Sequence, residues 1–99
     1  MAGYMNLEQV RQILFKETKR KGYVLEERPS TTTSSRYYII RSGEESVEFR
    51  VSDHSGNTKM LTLRLDHRLS PKSVTGFINN RIKALSYKRV MGLLKWKQN

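Results

Sequence analysis

Cysteine is absent from the 99 residues, proline occurs only twice, and no apolar run approaches the roughly 18 residues that would cross a bilayer. The missing thiols exclude disulfides, thiolate catalysis, zinc ribbons and iron–sulfur clusters, so an apolar core must hold the fold by itself. The N-terminus lacks the charged-then-apolar order of a secretory signal, and a cytoplasmic protein with no membrane partner is expected. A chain of this length buries one core and hides about 60–70% of its unfolded surface, which leaves no room for a barrel or a two-domain dinucleotide enzyme. Residues 1–5 read as disordered or as a cloning remnant, because Met5 abuts a helix start; residues 6–99 read as a single α+β domain.

Acid is also scarce. Nineteen Lys and Arg stand against nine Asp and Glu, a net charge of +10. The excess is uneven. Residues 1–50 hold nine cations and seven acids, whereas residues 51–99 hold ten cations and two acids, and neither of those acids lies beyond Ser70. A solvated helix ordinarily mixes signs, because i,i+4 pairs of opposite charge stabilise it slightly and like pairs do the reverse. A one-signed segment therefore asks for an anionic partner, and nucleic acid is the commonest.

What is present is a clear change of period along the chain. Asn6 is placed to cap a helix with Gln9 at its third position, and Leu7, Val10, Ile13 and Leu14 recur at helical spacing. Lys19, Arg20 and Lys21 precede Gly22, the expected stop. Tyr23–Arg28 reads as a strand ending at Pro29, and the hydroxyl run Ser30–Ser35 as an exposed, mobile loop. From Arg36 the period becomes two: Tyr37–Ile40, a turn at Ser42–Glu45, then Val47, Phe49 and Val51 alternating with polar residues. After a second turn at Asp53–Asn57, Leu61, Leu63 and Leu65 alternate in the same way. Ser70-Pro71 opens a last helical segment. Val74, Phe77, Ile78, Ile82 and Leu85 form one apolar stripe there, and Tyr87, Val90, Met91 and Leu94 a second. The expected fold is α+β: a helix, an antiparallel three- to four-stranded meander, and one long or two short C-terminal helices packed on one sheet face. Both helical stripes are expected against that sheet.

The candidate nucleic-acid contacts are Lys72, Arg81, Lys83, Lys88, Arg89 and Lys95 on the last helix, with Arg50 and His54 extending the surface from a sheet edge. Arg81 has the alternative of reaching back to the sheet. Tyr87, Trp96 and one of Tyr37 and Tyr38 would add base stacking if they face outward. The apolar residues Val90, Met91, Leu94 and Trp96 are a candidate homodimer face. Catalysis is not the leading reading. Asp53-His54 and Asp66-His67 flank the third strand, but turn formation accounts for both, and there is no nucleophile elbow, phosphate-binding glycine loop or paired carboxylate. No metal and no cofactor is expected.

The helix–strands–helix order resembles the double-stranded-RNA-binding domain and the HicA-type ribonuclease toxins. Gly22-Tyr23-Val24-Leu25 echoes the glycine–aromatic start of the first HicA strand. The stretch that would carry the HicA histidine is Ser35-Arg36-Tyr37-Tyr38, which has none; a toxin reading would have to use His54. The lysine pair that opens the last helix of the RNA-binding family is reduced here to Pro71-Lys72. Locally, Arg36-Tyr37-Tyr38-Ile39 followed by Arg50-Val51-Ser52-Asp53-His54-Ser55 is similar to small proteins of phages and other mobile elements of Gram-positive bacteria, an anti-CRISPR protein among them. That resemblance implies a small basic counter-defence protein that acts by binding, either to nucleic acid or a nucleoprotein effector, or to an acidic groove of a host defence nuclease.

Overall fold

The computed structural model describes residues 5–29, 35–53, 60–66 and 68–97, with the side chains of 95–97 excepted. Among these residues it is an α+β fold in which a four-stranded sheet, its strands side by side in chain order, carries two helices packed into one core.

Helix α1 (Leu7–Arg20) begins with the expected reciprocal cap: Gln9 N donates to Asn6 Oδ1 and Asn6 N donates to Gln9 Oε1, both at 2.9 Å. Val10, Leu14 and Thr18 turn inward, and the buried Thr18 hydroxyl donates to the Leu14 carbonyl at 2.6 Å. At the other end Gly22 adopts φ +85°, which lets Tyr23 N reach Thr18 O at 3.0 Å and Gly22 N reach Lys19 O at 2.9 Å. This pair of bonds is the Schellman closure, and it satisfies carbonyls that the helix end leaves unpaired.

Strand β1 (Val24–Pro29) lies at the sheet edge, where Pro29 is tolerated opposite Arg36. It pairs antiparallel with β2 (Arg36–Ser42), which pairs antiparallel with β3 (Glu45–Ser52). Ser42 and Glu45 are partners across a two-residue loop. Gly43 there has φ +61° and no non-glycine residue among those described has a positive φ, the pattern of a type II′ hairpin turn. Tyr38, Ile40, Val47, Phe49 and Val51 all point to the helix-covered face. Tyr38 stacks on Phe49 with centroids 5.2 Å apart, and Phe77 closes edge-on against Phe49 at 5.3 Å.

The fourth strand corrects the antiparallel expectation. Strand β4 (Thr62–Arg64) runs parallel to β3, with Arg50 opposite Thr62 and Ser52 opposite Arg64. Antiparallel pairing would need the chain to re-enter the sheet where β3 ends, whereas Thr62 enters beside Arg50, two residues before that end; the turn expected at Asp53–Asn57 lies, from His54 onward, outside the described residues. Of the three alternating leucines, Leu63 is buried and Leu65 packs on the core, while Leu61 is exposed. The expected hydroxyl loop also needs amending at its end: Ser35 is buried and donates to Ser52 Oγ at 2.9 Å. The rest of that loop lies outside the described residues.

Helix α2 (Pro71–Lys97) is one continuous element, opened by Ser70, whose hydroxyl accepts from Ser73 N at 3.2 Å. Val74, Ile78, Ile82 and Leu85 enter the core, each burial worth about 1.5–3 kcal/mol. The second stripe does not join them. Tyr87, Val90, Met91 and Leu94 are exposed, a correction with a geometric cause: at about 100° per residue they fall roughly opposite the first stripe, so one helix cannot press both on one sheet. No helix among the described residues is long and apolar enough to cross a membrane.

Candidate nucleic-acid interface

The six candidate residues whose side chains are described do not form one surface. Arg50 is only 6% exposed, and its Nε donates to Thr62 Oγ1 at 3.2 Å. It braces β3 to β4 and does not extend a basic edge, which corrects the expectation. Its position opposite Tyr37 and Thr62 puts it on the sheet face away from the helices, where a long side chain lies flat across its neighbours. His54 lies outside the described residues, as does His67. Lys95 is on α2, but its side chain is not described.

The other cations of α2 divide by direction. Lys88 Nζ donates to the Ser46 carbonyl at 2.9 Å, so its charge is applied to the start of β3. Arg89 lines a groove with Ser42, Gly43, Glu44, Glu45 and Leu93, in the company of two carboxylates. Arg81 is half-buried, and its Nε is out of solvent with no hydrogen-bond partner. Lys72 and Lys83 are exposed, and neither has an acid partner among the described residues.

Lys83 acquires neighbours that the linear pattern does not reveal. The C-terminal turn of α1 lies against the middle of α2, where Tyr23 Oη and Ser86 Oγ are 3.2 Å apart. The cleft between them is lined by Lys21, Tyr23, Asn79, Asn80, Ile82, Lys83 and Ser86. Two ammonium groups, two amides and two hydroxyls converge there, and no carboxylate lines the cleft. Asn79 Oδ1 is buried with no hydrogen-bond partner, which leaves one acceptor unused beside a set of donors. Arg20, in the same turn, is occupied, since its Nη2 is 2.8 Å from Glu17 Oε2.

Sequence reasoning misses Lys21, Asn79 and Asn80. Lys21 reads as a helix-ending residue, which it is: it caps α1 through its backbone N–H to Glu17 O at 3.1 Å. A usable signal does exist in Asn79-Asn80, two consecutive poor helix formers inside a long helix.

Charge and hydrogen bonding are concentrated differently on the other side of α1. Glu27 accepts from Arg11 Nε at 2.7 Å and from Tyr38 Oη at 2.6 Å. Burial by itself would raise the Glu27 carboxyl, but those two hydrogen bonds and the Arg11 charge hold it below the ordinary carboxylate value. Burial, reinforced by the bond to Glu27, pushes the Tyr38 phenol well above its ordinary value. These groups are filled by one another and knit α1 to the sheet.

Among the described residues no three His, Cys, Asp or Glu side chains converge as a metal site. The chain matches no protein-family model, no curated protein and no solved structure.

Proposed function

We propose that the protein binds nucleic acid, alone or within a nucleoprotein effector, without catalysing a reaction on it. The observation that carries this reading is the carboxylate-free cleft in which Lys21 and Lys83 meet Asn79, Asn80, Tyr23 and Ser86. Phosphate oxygens accept hydrogen bonds and carry negative charge, so a concave set of donors with two cations matches a phosphodiester backbone. Lys72 extends the cationic line along α2, and the exposed ring of Tyr87, one residue past the cleft, is available for stacking on a base. Lys88 and Arg89 are secondary contributors, since each has a role or an acid neighbour in the fold.

The local resemblance of the 36–55 segment to mobile-element proteins gives this reading its setting: the cytoplasm of a bacterial host, where a phage or other element opposes defence nucleases. A guide-bound effector displays phosphate and protein together, so binding to it draws on the same cleft. The ribonuclease-toxin alternative rests on His54, outside the described residues.

Fluorescence anisotropy with labelled duplex DNA, duplex RNA and single strands of each, at two salt concentrations, tests the proposal. Binding at low salt is expected, and the Lys21→Gln/Lys83→Gln variant should lower affinity while reducing the salt slope by roughly 0.9 for each duplex phosphate that is no longer neutralised. Failure of every nucleic acid to bind at low salt, or an unchanged slope in a folded double variant, would overturn it.

A further inference from the structure

The cleft between α1 and α2 has hydrogen-bonding capacity that a phosphate group does not fill. Its cations, Lys21 and Lys83, are donors only. Tyr23 Oη and Ser86 Oγ lie 3.2 Å apart, so one hydroxyl hydrogen joins the pair and the other is left to donate outward. Asn79 departs from this donor-rich set. It is half-buried on the cleft wall, and its Oδ1 is out of solvent with no hydrogen-bond partner. An acceptor in that state costs free energy, and it calls for a donor that the fold does not supply. The χ2 torsion of an amide is broad, which lets the oxygen turn toward a donor placed in the cleft.

The two kinds of nucleic-acid backbone answer that acceptor differently. Phosphate oxygens and the ring oxygen of the sugar only accept, so a deoxyribose backbone meets the lysines and hydroxyls and leaves Asn79 Oδ1 unpaired beneath it. The ribose 2′-hydroxyl has a hydrogen to donate and neighbours every phosphate, and it is the group by which a protein tells RNA from DNA. A polar group that a site holds ready for one ligand discriminates strongly against the analogue lacking the partner. We infer that the cleft takes RNA in preference to DNA, a preference that rests on the phosphate reading above: Asn79 Oδ1 accepts from a ribose 2′-hydroxyl while Lys21 and Lys83 hold the neighbouring phosphates. The lysines set affinity for either strand, and Asn79 sets the difference between the two.

The test uses the full-length chain and a short labelled oligouridine in ribose, 2′-deoxyribose and 2′-fluoro forms, so that the bases are identical throughout. The 2′-fluoro strand keeps the sugar pucker of RNA and lacks only the donated hydrogen. In anisotropy titrations the RNA should bind about tenfold more tightly than the DNA, and the 2′-fluoro strand should fall to the level of the DNA. Asn79→Leu removes the acceptor at similar volume, and should bring RNA down to the affinity of DNA while leaving DNA within about twofold of the parent. Its thermal midpoint should not fall, because the oxygen it removes bonds nothing in the free protein. Lys21→Gln/Lys83→Gln should weaken all three strands and keep their order. Equal binding of RNA and DNA, a 2′-fluoro strand that binds as tightly as RNA, or an RNA preference that survives Asn79→Leu overturns the inference; the phosphate reading still stands if the lysine variant weakens every strand. Absence of binding by all three strands overturns the inference as well, and the duplex titrations described above then decide the phosphate reading separately.

Discussion

The phenol of Tyr38 donates to the carboxylate of Glu27 at 2.6 Å, and the same Oε2 takes the Arg11 Nε at 2.7 Å. One half-buried acid on an edge strand therefore joins α1 to the central strand. Glu27 titrates below its unfolded value, so its contribution is complete above the unfolded carboxylate range near pH 4.3 and is lost as pH falls through the lower folded value. Glu27→Gln should cost about 1–3 kcal/mol at neutral pH, with the gap to the parent closing in acid. Urea unfolding at pH 7 and at pH 3 checks this; a gap that widens in acid would refute it.

Removing the donor instead of the acceptor gives a second comparison. Tyr38→Phe keeps the ring against Phe49 but leaves Glu27 with Arg11 alone. A loss of about 1–2 kcal/mol is expected, less than the roughly 3–5 kcal/mol for Tyr38→Ala, which also opens a cavity. Chemical denaturation of the pair separates hydrogen bond from packing.

The two stripes of α2 should respond to truncation in opposite ways. Leu85→Ala removes a fully buried side chain and is expected to cost about 2–5 kcal/mol, whereas Leu94→Ala should stay within about 0.5 kcal/mol. Thermal midpoints of the two variants decide whether the last turns of α2 stand outside the core.

Arg50 and Lys83 are equivalent candidates in the sequence, and the structure makes them different experiments. Arg50→Ala should lower stability by about 1–3 kcal/mol, through weaker packing and the missing bond to Thr62, without selectively lowering nucleic-acid affinity. Lys83→Ala should do the reverse. Measuring both quantities on both variants would expose the assignment as wrong if the pattern were exchanged.

Much of this fold is legible in the chain because its signals are local. Asn6 and Gln9 cap a helix because they lie three residues apart, Gly22 ends it because a left-handed residue needs no distant neighbour, and Gly43 fixes the β2–β3 register within four residues. The parallel entry of β4 is not legible, because period two gives a strand's faces and leaves its direction to the connection that precedes it. Arg50 is misjudged for a related reason: alternation identifies the face it occupies but not the neighbours that bury it.

The sequence by itself determined that this is a one-core, cysteine-free, strongly basic α+β chain whose last helix carries cations and no acid, since composition and short-range periodicity need no knowledge of neighbours. Tertiary structure decided which of those cations are free. Lys88 is engaged by a β3 carbonyl, Arg89 sits by the hairpin acids, and Lys83 is joined by Lys21 from the far end of the chain's first helix. Charge is a property of a residue, whereas a binding surface is a property of the distances between residues, and only packing α1 against α2 sets those.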